Sequence, residues 1–173
     1  MGRIGARSSA SKQAANKDLV TRYFGAMEQG NIEEALAYWT AGAVNNASGR
    51  LAPQEGRERL AAVFQMLRTA FPDRRYQIDD LIVEGDKVVC RMTVSGTFGA
   101  RPLPPSGLPP NSVGVEGTRF VPPDAAGKRY TVKHVHVFRI EEGLIAEHWA
   151  ARDDLGLLLQ LGALMPPVAG VED

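Results

Sequence analysis

From residue 128 to residue 165 the chain reads KRYTVKHVHVFRIEEGLIAEHWAARDDLGLLLQLGALM, and this alternation restricts the fold more than any other stretch does. Val132, His134, His136 and Phe138 fall at every second position, as do Glu147, Trp149, Ala151 and Asp153. In a strand each such set projects from one face. Glu142 and Gly143 between the two runs are a hairpin signal, because glycine reaches positive φ without a Cβ clash. Taken as a two-residue loop, they set Ile140 opposite Ile145, His136 opposite Trp149 and Val132 opposite Asp153. An imidazole, an indole and a carboxylate then share one face of a sheet, among apolar neighbours.

The residues alone leave two readings of that cluster open. In one, Trp149 is core, His134 and His136 are hydrogen-bonded sheet histidines, and Asp153 is the N-cap of a helix beginning near Leu155. In the other, a partly desolvated Asp153 with a raised pKa and a histidine poised near neutrality form an acid/base pair. Periodicity does not choose between them.

The remainder of the 173 residues builds towards this ribbon. Residues 1–14 are polar and basic, without the apolar run of a secretory signal, and are expected to form a disordered tail. Leu19, Val20, Tyr23, Phe24 and Met27 recur at three- and four-residue spacing and predict an amphipathic helix over 15–29. Asn31 caps a second helix over 32–39 that carries Trp39. A short strand over 43–46 ends in Asn45 and Asn46; Asn46 is either a turn residue or an inward donor and acceptor. A third helix over 56–70 buries Leu60, Val63, Phe64 and Leu67, and Pro72 ends it. Strands over 76–84 and 87–98 flank a turn at Gly85-Asp86. Helices followed by a run of antiparallel strands predict an α+β domain over 15–165, with helices on one face of a curved sheet. The insertion at 100–127 holds seven prolines, which excludes a central strand or a helix, and 166–173 forms a second tail.

Twenty basic and twenty acidic residues cancel, and no segment concentrates Lys and Arg with aromatics, so no nucleic-acid partner is expected. No stretch approaches the roughly 20 apolar residues of a membrane span, and a cytoplasmic location is expected. The single cysteine, Cys90, sits in an apolar strand and reads as structural. The three histidines belong to no HExxH or CxxC arrangement, and no metal is expected.

Several motifs carry a resemblance: Glu55-Gly56-Arg57-Glu58 before a helix, Ala70-Phe71-Pro72-Asp73 at its end, Asp80 to Val89 across a hairpin, Gly96-Thr97-Phe98, and Gly143 through Trp149 and Asp153 to Gly162. Over roughly 17–164 the chain is similar to the SnoaL-like polyketide (ester) cyclases, within the NTF2-like, ketosteroid-isomerase-like superfamily. The resemblance implies a cystatin-like cone, with three N-terminal helices on a curved mixed or antiparallel sheet and a pocket between them. It also implies cofactor-free acid/base chemistry on a small hydrophobic molecule, in which Asp153 matches the family's acid/base aspartate and His136 and His134 lie on the strand bearing polar pocket residues.

That chemistry, proton abstraction α to a carbonyl followed by aldol-type ring closure or isomerisation, requires a base and donors for the enolate oxygen. Asp153 and His136 are the catalytic candidates. His134 and Asn46 are the polar binding candidates, and Trp149, Phe138, Trp39, Phe24 and Phe64 the apolar walls. The alternatives are a limonene-epoxide-hydrolase-like enzyme, an isomerase or dehydratase, and a non-catalytic ligand-binding or dimerisation module. Val135, Val137 and Ala150 make the outer sheet face partly apolar, which favours a homodimer.

Overall fold

The computed structural model describes residues 2–47, 54–99 and 125–163. Helix α1 spans Gly2–Gln29 and α2 Ile32–Ala37; strand β1 spans Trp39–Asn45 and β2 Gln54–Glu55; helix α3 spans Arg57–Ala70. Strands β3 (Arg75–Glu84), β4 (Lys87–Thr97), β5 (Arg129–Glu141) and β6 (Leu144–Arg152) follow, and helix α4 (Asp154–Gln160) closes the domain. The six strands form one sheet in the order β2-β1-β6-β5-β4-β3. Only the β1/β6 pair is parallel; the others are antiparallel. This is the α+β architecture anticipated from the element order.

The inner face follows from alternation. On β4 it presents Val88, Cys90, Met92 and Val94, and on β5 Val132, His134, His136, Phe138 and Ile140, all buried. Their register locks the two rows together, with Val88 opposite Phe138, Cys90 opposite His136 and Met92 opposite His134. The stripe of α1 (Leu19, Val20, Tyr23, Phe24) and that of α3 (Leu60, Phe64) pack on this face and complete the core. Burial pushes the Cys90 thiol up to about 12, with Asp79 adding to the rise, so it is a packed strand residue rather than a nucleophile.

Three features depart from expectation. Helix α1 begins at Gly2, where a disordered tail over 1–14 was expected. No proline interrupts residues 2–14, and once 15–29 are docked each added residue gains a hydrogen bond without a new nucleation cost. Helix α2 ends at Ala37, so Trp39 opens β1. Tyr38 O accepts the Ile145 N–H at 2.8 Å, and the Arg57 Nε–H donates to Trp39 O at 2.8 Å, drawing the backbone into the sheet.

The third departure governs the site. Ile140 pairs with Ile145 as a two-residue turn at Glu142-Gly143 requires, but Arg139 pairs with Glu147. Ala146 is therefore an extra residue on β6, a β-bulge. A one-residue shift sends every later side chain to the opposite face. Phe138 consequently faces His148, Val137 faces Trp149 and His136 faces Ala150. His148 is buried, whereas Trp149 is 36% exposed. The expected pairing of His136 with Trp149 and Val132 with Asp153 is corrected accordingly. Ala150 likewise leaves the outer face, where Trp149 replaces it beside Val135.

The proline-rich stretch falls mostly at 100–124 and, with the tail at 166–173, lies outside the described residues. Its two ends meet in a neck, in which Phe98 N donates to Lys128 O at 2.9 Å and Gly127 N to Phe98 O at 2.7 Å.

The bulged register sets the two tryptophans apart. Trp149→Ala is expected to change the stability of the monomeric chain by no more than about 0.5 kcal/mol, whereas Trp39→Ala, at a side chain with 0% exposure, should cost about 3–5 kcal/mol. Urea titrations of both variants, at a chain concentration low enough to keep them monomeric, check this. Equal losses would contradict the register.

Candidate functional site

Beneath α1 and α3 a cavity of about 80 Å³ is lined by Tyr23, Phe24, Met27, Asn45, Ala47, Val63, Phe64, Met66, Leu67, Arg74, Tyr76, His136, His148 and Arg152. A second cavity of similar volume adjoins it, sharing Met27, Phe64, Leu67, Arg74 and Tyr76. The wall from the helices is apolar. The floor from the sheet is polar, and it bears no carboxylate.

That floor is an ordered row of side chains across three strands. Asn45 on β1 lies beside His148 on β6, whose ring reaches His136 on β5, which in turn meets His134 two residues away. The contacts are Asn45 Oδ1 to His148 Nδ1 at 3.2 Å, His148 Nε2 to His136 Nδ1 at 2.8 Å, and His136 Nε2 to His134 Nδ1 at 3.3 Å. The rings of His136 and His148 are nearly parallel, and Phe138 stacks on His148 with centroids 4.6 Å apart. Phe24 meets His136 edge-on at 5.4 Å.

The direction of this row follows from one backbone amide. Ala47 N donates to Asn45 Oδ1 at 3.0 Å, so the amide oxygen, an acceptor, faces both Ala47 and His148. His148 Nδ1 must then donate, which makes its Nε2 the acceptor in a neutral ring. By the same logic His136 donates from Nδ1 and accepts at Nε2, and His134 donates from Nδ1. All three rings hold the Nδ1–H tautomer.

Neutrality is enforced by the surroundings. Burial pulls His134 down to about 3, with the Arg74 and Arg152 guanidiniums adding to the effect. Burial and then Arg152 pull His148 to about 3. His136 is held well below its ordinary value by burial, then by His148, His134, Arg74 and Arg152. Among the described residues no three of His, Cys, Asp or Glu converge as metal ligands.

Arg74 and Arg152 supply the positive charge. Arg152 pairs with Asp154 at 3.1 Å. Arg74 instead lies over aromatic rings, its Cζ 5.3 Å from the Phe71 centroid and 5.1 Å from that of Tyr76.

Of the residues singled out from sequence, His136, His134, Phe24 and Phe64 gather at this site, with Phe24, Phe64 and His136 on the cavity wall. Phe138 and Trp39 are fully buried behind it, packing on His148 and Tyr23. Asn46 is displaced by its neighbour Asn45, because Asn46 uses its backbone N–H on His148 O at 2.7 Å while the Asn45 side chain turns inward. Trp149 points outward, since the bulge inverts it. Asp153 is exposed and caps α4, accepting the Gly156 N–H at 2.8 Å; the same inversion carries it away from the cavity and brings Arg152 in. Asn45, His148, Arg74 and Arg152 were not anticipated. Nothing in the composition marks Ala146 as a bulge, and Arg74 follows a helix stop that reads as an ordinary turn.

A model of the SnoaL-like polyketide cyclase family matches residues 17–161. The chain belongs to that family. TsrD from Streptomyces laurentii is 31% identical, with a TM-score of 0.67 over 87% of this chain and 97% of that one. AclR from Streptomyces galilaeus is 21% identical, with a TM-score of 0.68 over 89% of this chain and 85% of that one. IdmH from Streptomyces antibioticus, a proposed polyketide cyclase, is 24% identical, with a TM-score of 0.63 over 85% of this chain and 98% of that one. These last two speak for the fold alone. No curated protein matches the chain. Among the described residues no helix is long and apolar enough to cross a membrane.

Three neutral buried histidines tie stability to pH. Their folded pKa values lie below 6.5, so unfolding takes up protons and stability is lost as pH falls from 6.5 towards 3, by up to about 1.4 kcal/mol per pH unit for each ring. The Thr97 N–H and hydroxyl hold the Asp73 carboxyl below its ordinary 3.8, so the upper part of the window reports the histidines. Thermal melts between pH 7 and 5 should show this slope, and His148→Gln should flatten it. An unchanged slope would contradict the buried row.

Proposed function

We propose that this protein is a cyclase-type enzyme that uses cofactor-free acid/base chemistry on a small, largely apolar molecule held between the helices and the histidine row. The observation that carries this reading is the directed series Ala47 N–H, Asn45, His148, His136. It fixes His136, a ring that lines the cavity, with Nε2 as its unprotonated nitrogen and the 3.3 Å bond from His134 as the one that nitrogen must exchange for a substrate proton.

In this reading His136 Nε2 gives up the 3.3 Å bond it accepts from His134 Nδ1 when the substrate is seated, and then removes the proton α to the carbonyl. His148 holds the ring through the 2.8 Å bond to Nδ1, and Asn45 holds His148, so a base is oriented by a third group. A neutral imidazole in a dry, positively charged site is a weak base at rest. An enolate forming beside it reverses the charge penalty, because the imidazolium then faces a negative partner. Arg74 and Arg152 provide the field in which that negative charge develops. Family membership supports the reaction class. The apolar lining by Phe24, Met27, Phe64 and Leu67 supports a hydrophobic substrate body. Among the described residues the wall of this cavity bears no carboxylate, which counts against a paired-acid epoxide hydrolysis.

We further propose a homodimer through the outer sheet face, where Val135 and Trp149 are large exposed apolar side chains on adjoining strands.

Exchange of the α-hydrogen of ethyl 2-methylacetoacetate in D₂O, followed by NMR, tests the chemistry. The wild type should accelerate exchange above the buffer rate, and His136→Gln should lower that acceleration by roughly a hundredfold. Asp153→Asn, which preserves the cap, should stay within about twofold. The rate should remain level as pH is lowered through 6.5, because His136 stays neutral there. Loss of exchange in Asp153→Asn with full activity in His136→Gln would overturn the assignment. For the dimer, sedimentation equilibrium should give twice the chain mass, and Trp149→Glu should shift it to monomer; a monomeric wild type refutes it.

A further inference from the structure

Arg74 is the side chain of the cavity whose charge is unanswered. It is half-buried and lines both cavities where they adjoin. Its Nε is fully buried and has no hydrogen-bond partner among the described residues. Glu28, which lines the second cavity with Arg74, and Asp73, its neighbour in the chain, are engaged elsewhere. Glu28 accepts the Tyr76 backbone N–H at 3.0 Å and pairs with Arg75 at 2.7 Å. Asp73 accepts the Thr97 backbone N–H at 2.6 Å and the Thr97 hydroxyl at 2.8 Å. The rings of Phe71 and Tyr76 orient the guanidinium without neutralising it.

A buried guanidinium N–H without a hydrogen-bond partner is costly to hold unless an acceptor completes it. Among the described residues the histidine-floored cavity contributes none, since its polar lining is neutral imidazole, amide and phenol with a second arginine, and the adjoining cavity contributes only Glu28, already paired with Arg75. Arg152 already has its counter-ion in Asp154. The deficit is therefore local to Arg74, at the boundary of the two chambers, one end of which carries the histidine row.

We propose that the molecule bound in this site carries a carboxylate, received by Arg74, with its apolar body against Phe24, Phe64 and Met27 and its reacting carbon towards His136. The inference deepens the catalytic reading above and rests on the same cavity being the substrate site. It narrows the substrate class to carboxylic acids, excluding esters and other uncharged acyl compounds as the preferred ligands. It also gives the carboxylate a second role. Once paired with Arg74 it cancels part of the positive field acting on His136, so the base gains strength when the acid is seated.

The test compares benzoate with benzamide, which share shape and differ in charge. Calorimetry and the ring-proton NMR signals of the histidines report binding to the wild-type chain, Arg74→Met and Arg74→Lys. Wild type should bind benzoate at least about tenfold more tightly than benzamide, as a charge-assisted hydrogen bond allows. Arg74→Met should erase that preference, and Arg74→Lys should keep part of it. At pH 7, where benzoate is ionised, it should also shift the histidine ring-proton signals, and Arg74→Met should lose that shift, which a merely structural arginine would not produce. Equal binding of the two probes by wild type, no binding of either at millimolar concentration, or an undiminished preference in Arg74→Met would each overturn the inference. The wild-type comparison stands even where a variant folds poorly. Exchange of the uncharged ester with no benzoate preference would sink this inference and leave the acid/base reading standing. Benzoate selectivity without exchange would do the reverse.

Discussion

Ala146 has no counterpart on β5, and the composition of the cavity follows from that single unpaired residue. Without it, an indole and a carboxylate would project inward from β6. With it, an imidazole, a methyl group and a guanidinium do so, at His148, Ala150 and Arg152. The bulge is a small backbone event, yet strand alternation propagates it to the end of the strand and on into the cap of α4. The Arg139–Glu147 ion pair at 2.5 Å spans the two strands at the point where the regular register resumes. The hairpin turn and the bulge together decide which residues of β6 face the cavity.

What the bulge creates is a polar floor that satisfies itself. Buried histidines are costly when their ring nitrogens lack partners, and here the rings serve one another, ending on an amide whose oxygen is shared with a main-chain N–H. Such a network is well determined because each bond fixes the next. The positive field of the two arginines adds to burial in keeping the rings uncharged, so the site combines neutral hydrogen-bonding groups with fixed cations. A chamber of that character favours a negative guest, or a reaction in which negative charge appears.

The architecture was legible from residues because it depends on repeated signals. The α1 stripe from Leu19 to Met27, the α3 stripe from Leu60 to Leu67 and the β5 alternation from Val132 to Phe138 each contain several concordant positions, and each packs into the core, with Met27, Val63 and Leu67 partly buried at its margin. The inward position of His134 and His136 was legible for the same reason. The errors cluster where one residue decides. Ala146 reads like any strand alanine, and the bulge it makes moved Trp149 and Asp153 out and His148 and Arg152 in. Asn45 and Asn46 are identical in composition, and only the pairing of β1 with β6 selects the inward one. Trp39 was assigned to a helix because its spacing fits α2; it is the tertiary bond from Ile145 to Tyr38 that turns the chain into strand before it. Arg74 gave no local sign, since its significance lies in what does not surround it.

The amide of Ala47 reaches further than its own hydrogen bond suggests. By holding the Asn45 oxygen in place it forbids each imidazole in turn from swapping its proton to the other nitrogen, and so three rings that would interconvert freely in water are confined to a single protomeric form. The bare nitrogen of each ring is then the one farthest from its own backbone. The histidine row thus has a built-in direction, imposed from the strand edge.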